Sequence, residues 1–264
     1  MKKLLLSLLI LLSPAGALAA FDHSHAQWDA LTKKHVVWLT GGHASQVDYN
    51  GFKTDRQELK AYLAALSAVT QSEYDGWKKP ERLAFLLNTY NAYTVELILT
   101  EYPNLKSIKD LGSLFTSPWK KRFFTLLGKP RSLDDVEHGM IRAPGVFDEP
   151  RIHMAANCAS IGCPALRSEA FVASKLDAQL EDSVVRFLTD RSRNRFIPQT
   201  GRLEVSKIFD WYGKDFAARS GTVEEWLAQC ADKLADDPKY HQVIRDGKAK
   251  VEFLDYDWAL NDKK

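Results

Sequence analysis

A long apolar segment between Pro80 and Tyr102 constrains the fold of this chain more than any other feature. Its apolar side chains recur on every face of a helix: Leu83, Leu86, Leu87, Tyr90, Val95, Leu97, Ile98 and Leu99. A helix that is apolar all round is surrounded by protein. Asn88 and Asn91 are three residues apart and lie on the same face of it. The pattern therefore predicts a central helix that carries two buried amide side chains.

Shorter patterns predict further helices and a few short strands. Helical spacing and capping residues are found over about 25–39, 54–69, 174–188, 207–218 and 223–234, and Ser132 caps another helix. Strands are expected at 152–156 and 251–254, with hairpins at 122–130 and 195–205. This irregular order differs from a βαβ alternation. We therefore expect an α+β fold, a single helix-rich domain with a small irregular sheet, and a papain-like arrangement is one form of it.

The first nineteen residues have the features of a secretory signal peptide. Lys2 and Lys3 precede an apolar run from Leu4 to Leu12, and Ala17-Leu18-Ala19 is a small-x-small cleavage site. The apolar run is too short to span a bilayer. We expect cleavage before Ala20, a single globular domain over residues 20–264, and a periplasmic or secreted location in a bacterium.

Charge and hydropathy exclude several classes of partner. Without Lys2 and Lys3 the chain has 34 basic and 34 acidic residues, so it lacks the positive field that nucleic acid or an anionic membrane requires. No apolar stretch beyond the signal segment approaches the ~20 residues of a transmembrane helix. We expect no nucleic-acid binding and no stable membrane insertion, and a small molecule or a peptide as the partner.

Cys158, Cys163 and Cys230 form an odd set of thiols for an oxidising compartment. Cys158 follows the expected strand, and free backbone N–H groups of the next loop would stabilise its thiolate, which makes it a candidate nucleophile. A Cys158–Cys163 disulfide and an inert buried thiol are the two alternatives. The spacing of five residues permits the disulfide but does not establish it.

A nucleophilic cysteine needs a base, and three histidines are candidates. His153 lies five residues before Cys158, and on a regular strand an odd separation places the two side chains on opposite faces. His138 follows Glu137 on the helix that Ser132 caps, and His241 is the only histidine after Cys158. We expect His138 or His153 as the base, with Asn91 or Glu137 as the residue that orients it.

Metal and redox chemistry are weaker interpretations of the same residues. His153, Cys158 and Cys163 are zinc-type ligands, but the close Cys-x-x-Cys pairing and a fourth ligand are missing. Four residues separate the two cysteines where a thioredoxin-like pair has two. The sequence therefore predicts no metal and no cofactor.

Two aromatic groups are expected in the core or at the wall of a pocket. They comprise Phe209, Trp211, Tyr212 and Phe216 in one segment and Tyr256 and Trp258 in the other. Acidic residues accompany both groups and would lie at the edge of such a pocket: Asp210, Asp215, Asp255 and Asp257.

Five ordered blocks between about residues 50 and 262 resemble the family known as domain of unknown function 547 (DUF547). They comprise residues 88–92, 132–138, 151–164, 206–216 and 255–261, with Asn157-Cys158-Ala159-Ser160 in the third. The resemblance implies that the asparagine helix, the acidic cap, the cysteine loop and the aromatic segments belong to one domain. It brings no established activity.

Two hypotheses of different kinds follow. The first is a cysteine-dependent hydrolase or transferase acting on a peptide, amide or thioester, with Cys158 as its nucleophile. The second is a non-catalytic binding or scaffold domain in which Cys158 and Cys163 form a structural disulfide.

Overall fold

The computed structural model describes residues 20–113 and 116–264. The expected signal peptide, residues 1–19, lies outside the described residues. Of the residues that the structure describes, 49% are helical and 11% lie in strands, which confirms the helix-rich α+β class. None of the described helices is long and apolar enough to cross a membrane.

The α-helices within 20–113 and 116–264 are α1 Ala26–His35, α2 Tyr49–Thr54, α3 Arg56–Ala68, α4 Gln71–Asp75, α5 Lys79–Leu99, α6 Leu133–Val136, α7 Leu176–Leu188, α8 Ile208–Trp211, α9 Gly213–Ser220, α10 Val223–Gln229, α11 Ala231–Leu234 and α12 His241–Arg245. A π-helical turn, Glu137–Ile141, continues α6. Short 3-10 helices lie at Ile108–Leu111, Pro118–Lys120, Pro150–Met154 and Pro238–Tyr240.

The strands of the described chain form three small sheets. They are β1 Val36–Trp38, β2 Ser45–Val47, β3 Phe124–Leu126, β4 Lys129–Arg131, β5 Arg195–Ile197, β6 Arg202–Val205 and β7 Lys250–Phe253. The pairs β1–β2, β3–β4 and β5–β6 are antiparallel, and β7 joins β6 in parallel. Both expected hairpins are therefore present. In the first, the turn comprises Leu127 and Gly128, both with positive φ, which is the geometry of a tight two-residue hairpin.

Helix α5 is the central element of the first hydrophobic core. Sixteen of its residues are buried, and Phe85, Leu86 and Ile98 have no exposed surface. Asn88 and Asn91 are both buried, as the sequence predicts. A second core lies between α7, the β5–β6–β7 sheet and α8–α11.

The segment expected as a strand at 152–156 is a 3-10 helix, Pro150–Met154, so this prediction is wrong. Pro150 supplies a φ suited to the start of a helix, and the Glu149 carboxylate accepts the N–H of Arg151 as an N-cap. Ile152 packs into the first core and Met154 into the second. Opposite faces of a strand therefore do not separate His153 from Cys158.

Helix boundaries differ from expectation where local caps intervene. The helix expected over 25–39 ends at His35, and the β-branched Val36 and Val37 begin β1. The helices expected over 207–218 and 223–234 are each divided, at Tyr212 and Cys230.

His25 makes the stability of the fold depend on pH. Its imidazole is buried, its Nδ1 lies 2.7 Å from the Tyr62 hydroxyl, and burial lowers the pKa of His25 to about 4. The unfolded imidazole titrates near 6.5. Its contribution is fully present above pH ~6.5 and is lost as the pH falls toward the folded pKa, because the unfolded chain alone binds the proton.

We expect the His25 contribution to the free energy of unfolding to fall by about 2 kcal/mol between pH 7.5 and 5.0. The measurement is urea unfolding of the wild type and the His25→Asn variant at both pH values, with His241→Asn as the control. The wild type and the control should lose more stability than His25→Asn. Equal losses in all three proteins would contradict the assignment.

Candidate active site

Asn91 holds the backbone that leads to Cys158. Its Nδ2 donates to the carbonyl of Ala155 at 3.0 Å, and its Oδ1 accepts the N–H of Asn157 at 2.8 Å. The side chain is buried, so these polar groups have little access to water and depend on the amide for their hydrogen bonds. The central helix therefore fixes the start of the cysteine loop from inside the core.

Asn157 closes the loop itself. Its Oδ1 accepts the N–H of Ala159 at 2.9 Å, and its Nδ2 donates to the carbonyl of Pro164 at 2.8 Å. Ala159 has a φ of 61°, a left-handed conformation that non-glycine residues adopt only when the surroundings enforce it. The two asparagines together determine where the side chain of Cys158 points.

Cys158 and Cys163 are joined by a disulfide, with 6.1 Å between their Cα atoms. Tyr256 Oη lies 3.0 Å from Cys158 Sγ and 3.1 Å from Cys163 Sγ. Ser160 Oγ lies 3.3 and 3.4 Å from the same two sulfurs. Both sulfur atoms therefore face two hydroxyl groups. Burial keeps the pKa of the Tyr256 phenol far above its usual value, so the phenol stays protonated and can donate a hydrogen bond.

The backbone N–H groups of the loop are not free, contrary to the expectation from sequence. Ile161 donates to the carbonyl of Ala259 at 2.8 Å, and Gly162 donates to that of Asp257 at 2.9 Å. A Cβ on Gly162 would lie 3.0 Å from both Asp257 and the ring of Tyr256. Glycine therefore allows the C-terminal segment to lie against the loop and to bring Tyr256 to the sulfurs.

His153 is held by a carboxylate and an aromatic ring. Its Nε2 lies 2.7 Å from Asp215 Oδ2, and its ring stacks on Tyr212 with 3.9 Å between centroids. Burial lowers the pKa of His153, and the hydrogen bond with Asp215 offsets this only in part. The imidazole is therefore neutral at pH 7 and can accept a proton.

Arg142 keeps Asp215 ionised. Its guanidinium donates to both carboxylate oxygens of Asp215, with Nε 2.6 Å from Oδ2 and Nη2 3.1 Å from Oδ1. Burial opposes ionisation of Asp215, but the hydrogen bonds from His153 and Arg142 outweigh it and hold the pKa of the carboxyl well below its usual range. His153, Asp215 and Arg142 therefore form one hydrogen-bonded network in which the guanidinium balances the charge of the carboxylate.

Glu137 and His138 lie at the start of the π-helical turn. The buried Glu137 carboxylate accepts the hydroxyl of Tyr212 at 2.7 Å. His138 is exposed, and its Nδ1 interacts with Arg142, while its Nε2 lies 3.6 Å from Asp134. Neither residue orients the ring of His153.

These residues line one cavity of about 250 Å³. Cys158, Cys163, His138, His153 and Glu137 contribute to its wall. The remaining lining residues are Tyr90, Ser117, Trp119, Asp134, Ala156, Pro164, Ile208, Trp211, Tyr212, Tyr256 and Trp258. Of the five residues predicted from the sequence as catalytic, four line this cavity: Cys158, His138, His153 and Glu137. The fifth, Asn91, is not among the lining residues and holds the backbone that leads to Cys158.

Three further alternatives from the sequence are His241 as the base, a zinc site and an inert buried thiol. His241 bonds the carbonyl of Ala235 at 2.9 Å and is not among the cavity residues, so it does not meet Cys158. Both cysteines of the zinc alternative are in the disulfide. Cys230 is an unpaired thiol, and burial raises its pKa to about 12.

Sequence reasoning does not assign the partners of the imidazole and the sulfurs. It places Asp215 only at the edge of a pocket and Tyr256 only in its wall. Asp215 is 62 residues from His153, and Tyr256 is 98 residues from Cys158. The spacing along the chain carries no signal that would connect either pair.

Residues 74–188 match the family model described as "Protein of unknown function, DUF547". The resemblance to DUF547 is confirmed. The matched segment includes Asn91, His138, His153 and Cys158 but ends before Asp215. No curated protein and no solved structure matches the chain. The biochemical role of DUF547 is unknown, and the papain-like form of the fold stays a prediction.

The two buried asparagines offer a matched test of how the loop is held. Asn88 bonds the N–H and C=O of Phe171 at 3.0 and 2.8 Å, as Asn91 bonds Asn157 and Ala155. Each change to alanine should lower the free energy of unfolding by about 2–4 kcal/mol, because two buried backbone groups lose their partners.

Only Asn91→Ala should also accelerate reduction of the Cys158–Cys163 disulfide by dithiothreitol. We expect an acceleration of about tenfold or more, because the lost free energy lowers the cost of opening the cysteine loop. The measurement is the reduction rate under native conditions, followed by mass spectrometry. Equal rates in Asn88→Ala and Asn91→Ala would show that Asn91 does not control the loop.

Proposed function

We propose that the cavity is the active site of a cysteine-dependent hydrolase or transferase that acts on a peptide, amide or thioester. The observation that carries the proposal is that Cys158 and the carboxylate-bound His153 line the same cavity. A nucleophile, a base and a group that orients the base are the elements that acyl transfer through a cysteine requires.

The active form would be the reduced protein, so in an oxidising compartment the protein would stay inactive until a dithiol reductant acts on it. A dithiol reductant supplies two electrons and two protons to the Cys158–Cys163 disulfide and is itself oxidised to a disulfide. The products are two protein thiols. Tyr256 and Ser160 then offer their hydroxyls to the sulfur, and a thiolate accepts such hydrogen bonds more strongly than a disulfide does.

The reaction would proceed through a thioester on Cys158. Its thiol passes a proton to His153, and the thiolate attacks the carbonyl carbon of the substrate. The bond to the leaving group breaks, and the imidazolium returns the proton to that group. Water, deprotonated by His153, then releases the acid and restores the thiol. In a transferase, an amine or thiol takes the place of water.

His153 suits the role of base better than His138. Asp215 holds His153 by Nε2 and leaves Nδ1 for the proton, whereas Arg142 occupies Nδ1 of the exposed His138. In this arrangement Asp215 replaces Asn91 and Glu137, the two residues expected from sequence, as the group that orients the imidazole.

p-Nitrophenyl acetate provides a test that needs no knowledge of the substrate. We expect the reduced protein to release p-nitrophenolate and to carry the acetyl group on Cys158, located by peptide mass mapping. Cys158→Ser should abolish this acetylation, and His153→Gln should slow it by about 10²–10⁴-fold. Cys163→Ser should react without a reductant, because it cannot form the disulfide.

Cys230→Ser is the matched control and should react as the wild type does. Acetylation that is confined to other residues, or that is unaffected by His153→Gln, would contradict the proposed roles.

Tyr256→Phe tests the hydroxyl beside the sulfur. Loss of a hydrogen bond to a charged group should move the pH midpoint of Cys158 alkylation upward by about 1–2 pH units. The measurement is the rate of iodoacetamide labelling against pH in the Cys163→Ser background, with Tyr240→Phe as the control. An unchanged midpoint would remove Tyr256 from the site.

The disulfide itself favours a second candidate, a non-catalytic binding or scaffold domain. In that case the bond would serve stability, so reduction would unfold the protein and Cys158 would show no selective acetylation. Thermal unfolding of the oxidised and reduced proteins separates the two candidates.

We further propose that the protein is exported to the periplasm or secreted. The signal-type residues 1–19 support this, and so does the disulfide, since such bonds persist in oxidising compartments. N-terminal sequencing of protein recovered from the periplasm should begin at Ala20, and recovery of an uncleaved cytoplasmic chain would contradict export.

A further inference from the structure

Aromatic rings form a connected surface in the cavity. The ring of Trp258 lies 4.5 Å from that of Tyr256, 5.5 Å from that of Trp211 and 5.8 Å from that of Trp119, between centroids. Trp211 is 44% exposed although it belongs to this cluster. An exposed tryptophan in a concave, aromatic surface is typical of a site that is covered by a ligand.

Apart from its two imidazoles, the cavity wall contains only negatively charged ionisable side chains. The wall contains the carboxylates Asp134 and Glu137, two imidazoles, and no lysine or arginine. Glu137 is buried, and no lysine or arginine in the described part of the chain forms an ion pair with it. Buried carboxylates are normally paired. Arg142, which does not line the cavity, interacts with Glu137 through space, and the Tyr212 hydroxyl donates to it. The wall itself presents carboxylates with no lysine or arginine among its residues.

Two aromatic rings of the cavity wall contact positively charged side chains of the protein itself. The Lys109 ammonium lies 3.7 Å from the ring centroid of Trp258, and the Arg142 guanidinium lies 4.6 Å from that of Tyr212. Neither cation lines the cavity. The rings of Trp258 and Tyr212 therefore bind positive groups through their electron-rich faces, and Lys109 and Arg142 occupy the faces that they contact.

We infer that the cavity binds molecules that carry an ammonium or guanidinium group, so that the acyl substrates of the proposed reaction are cationic. The designation as substrate rests on the proposed function, whereas the binding preference does not. The carboxylates would balance the charge and the aromatic faces would contact the cation, which selects against a neutral molecule of the same shape.

Choline and 3,3-dimethylbutanol form a matched pair of probes, because they differ in charge but hardly in shape. Titration of the oxidised wild-type protein, followed by tryptophan fluorescence and calorimetry, should show choline binding at least tenfold more tightly. Asp134→Asn, Glu137→Gln and Trp211→Leu should each reduce this preference. Glu58→Gln, which changes an exposed carboxylate outside the cavity, should retain it.

Equal affinity for the two probes, tighter binding of the neutral alcohol, or binding of neither would overturn the inference. If Glu137→Gln does not fold, Asp134→Asn and Trp211→Leu test the inference, because both side chains are partly exposed and their replacement leaves the core intact. The disulfide stays intact in this experiment. A failure of acyl transfer is therefore distinguishable from a failure of cation binding.

Discussion

The amide of Asn91 is the interaction on which the rest of the site depends. It reaches from the central helix α5 to the backbone of Ala155 and Asn157 and satisfies one acceptor and one donor there. Asn157 in turn forms hydrogen bonds with the backbone of Ala159 and Pro164, in the loop that carries the two cysteines. The loop is largely buried, and its hydrogen bonds to these buried side chains fix its geometry.

The histidine reaches the same cavity by a different route. The 3-10 helix Pro150–Met154 runs between the two hydrophobic cores, so His153 meets Asp215 from α9 and Tyr212 from the end of α8. The cavity therefore lies where the two cores join. Its wall combines sulfur, imidazole, carboxylate and aromatic groups from segments far apart in the chain, which is the usual origin of a site with specific chemistry.

The sequence is sufficient for features that depend on local periodicity and insufficient for those that depend on tertiary contacts. The central helix and the burial of Asn88 and Asn91 follow from spacing alone. The strand prediction for the segment 152–156 is wrong because a short apolar run fits either structure, and the N-cap at Glu149 favours the 3-10 helix. The pairing of His153 with Asp215 spans 62 residues, so only the folded chain brings them together.

The central claim is that Cys158 belongs to a reactive pocket and not to a buried structural bridge. Iodoacetamide labelling of the folded protein, with peptide mapping before and after mild reduction without denaturant, tests it most directly. We expect no labelling of Cys158 before reduction, and after reduction labelling at least tenfold faster than at Cys230, whose thiol pKa is raised to about 12 by burial. Cysteines that all react slowly, or only after denaturation, would contradict it.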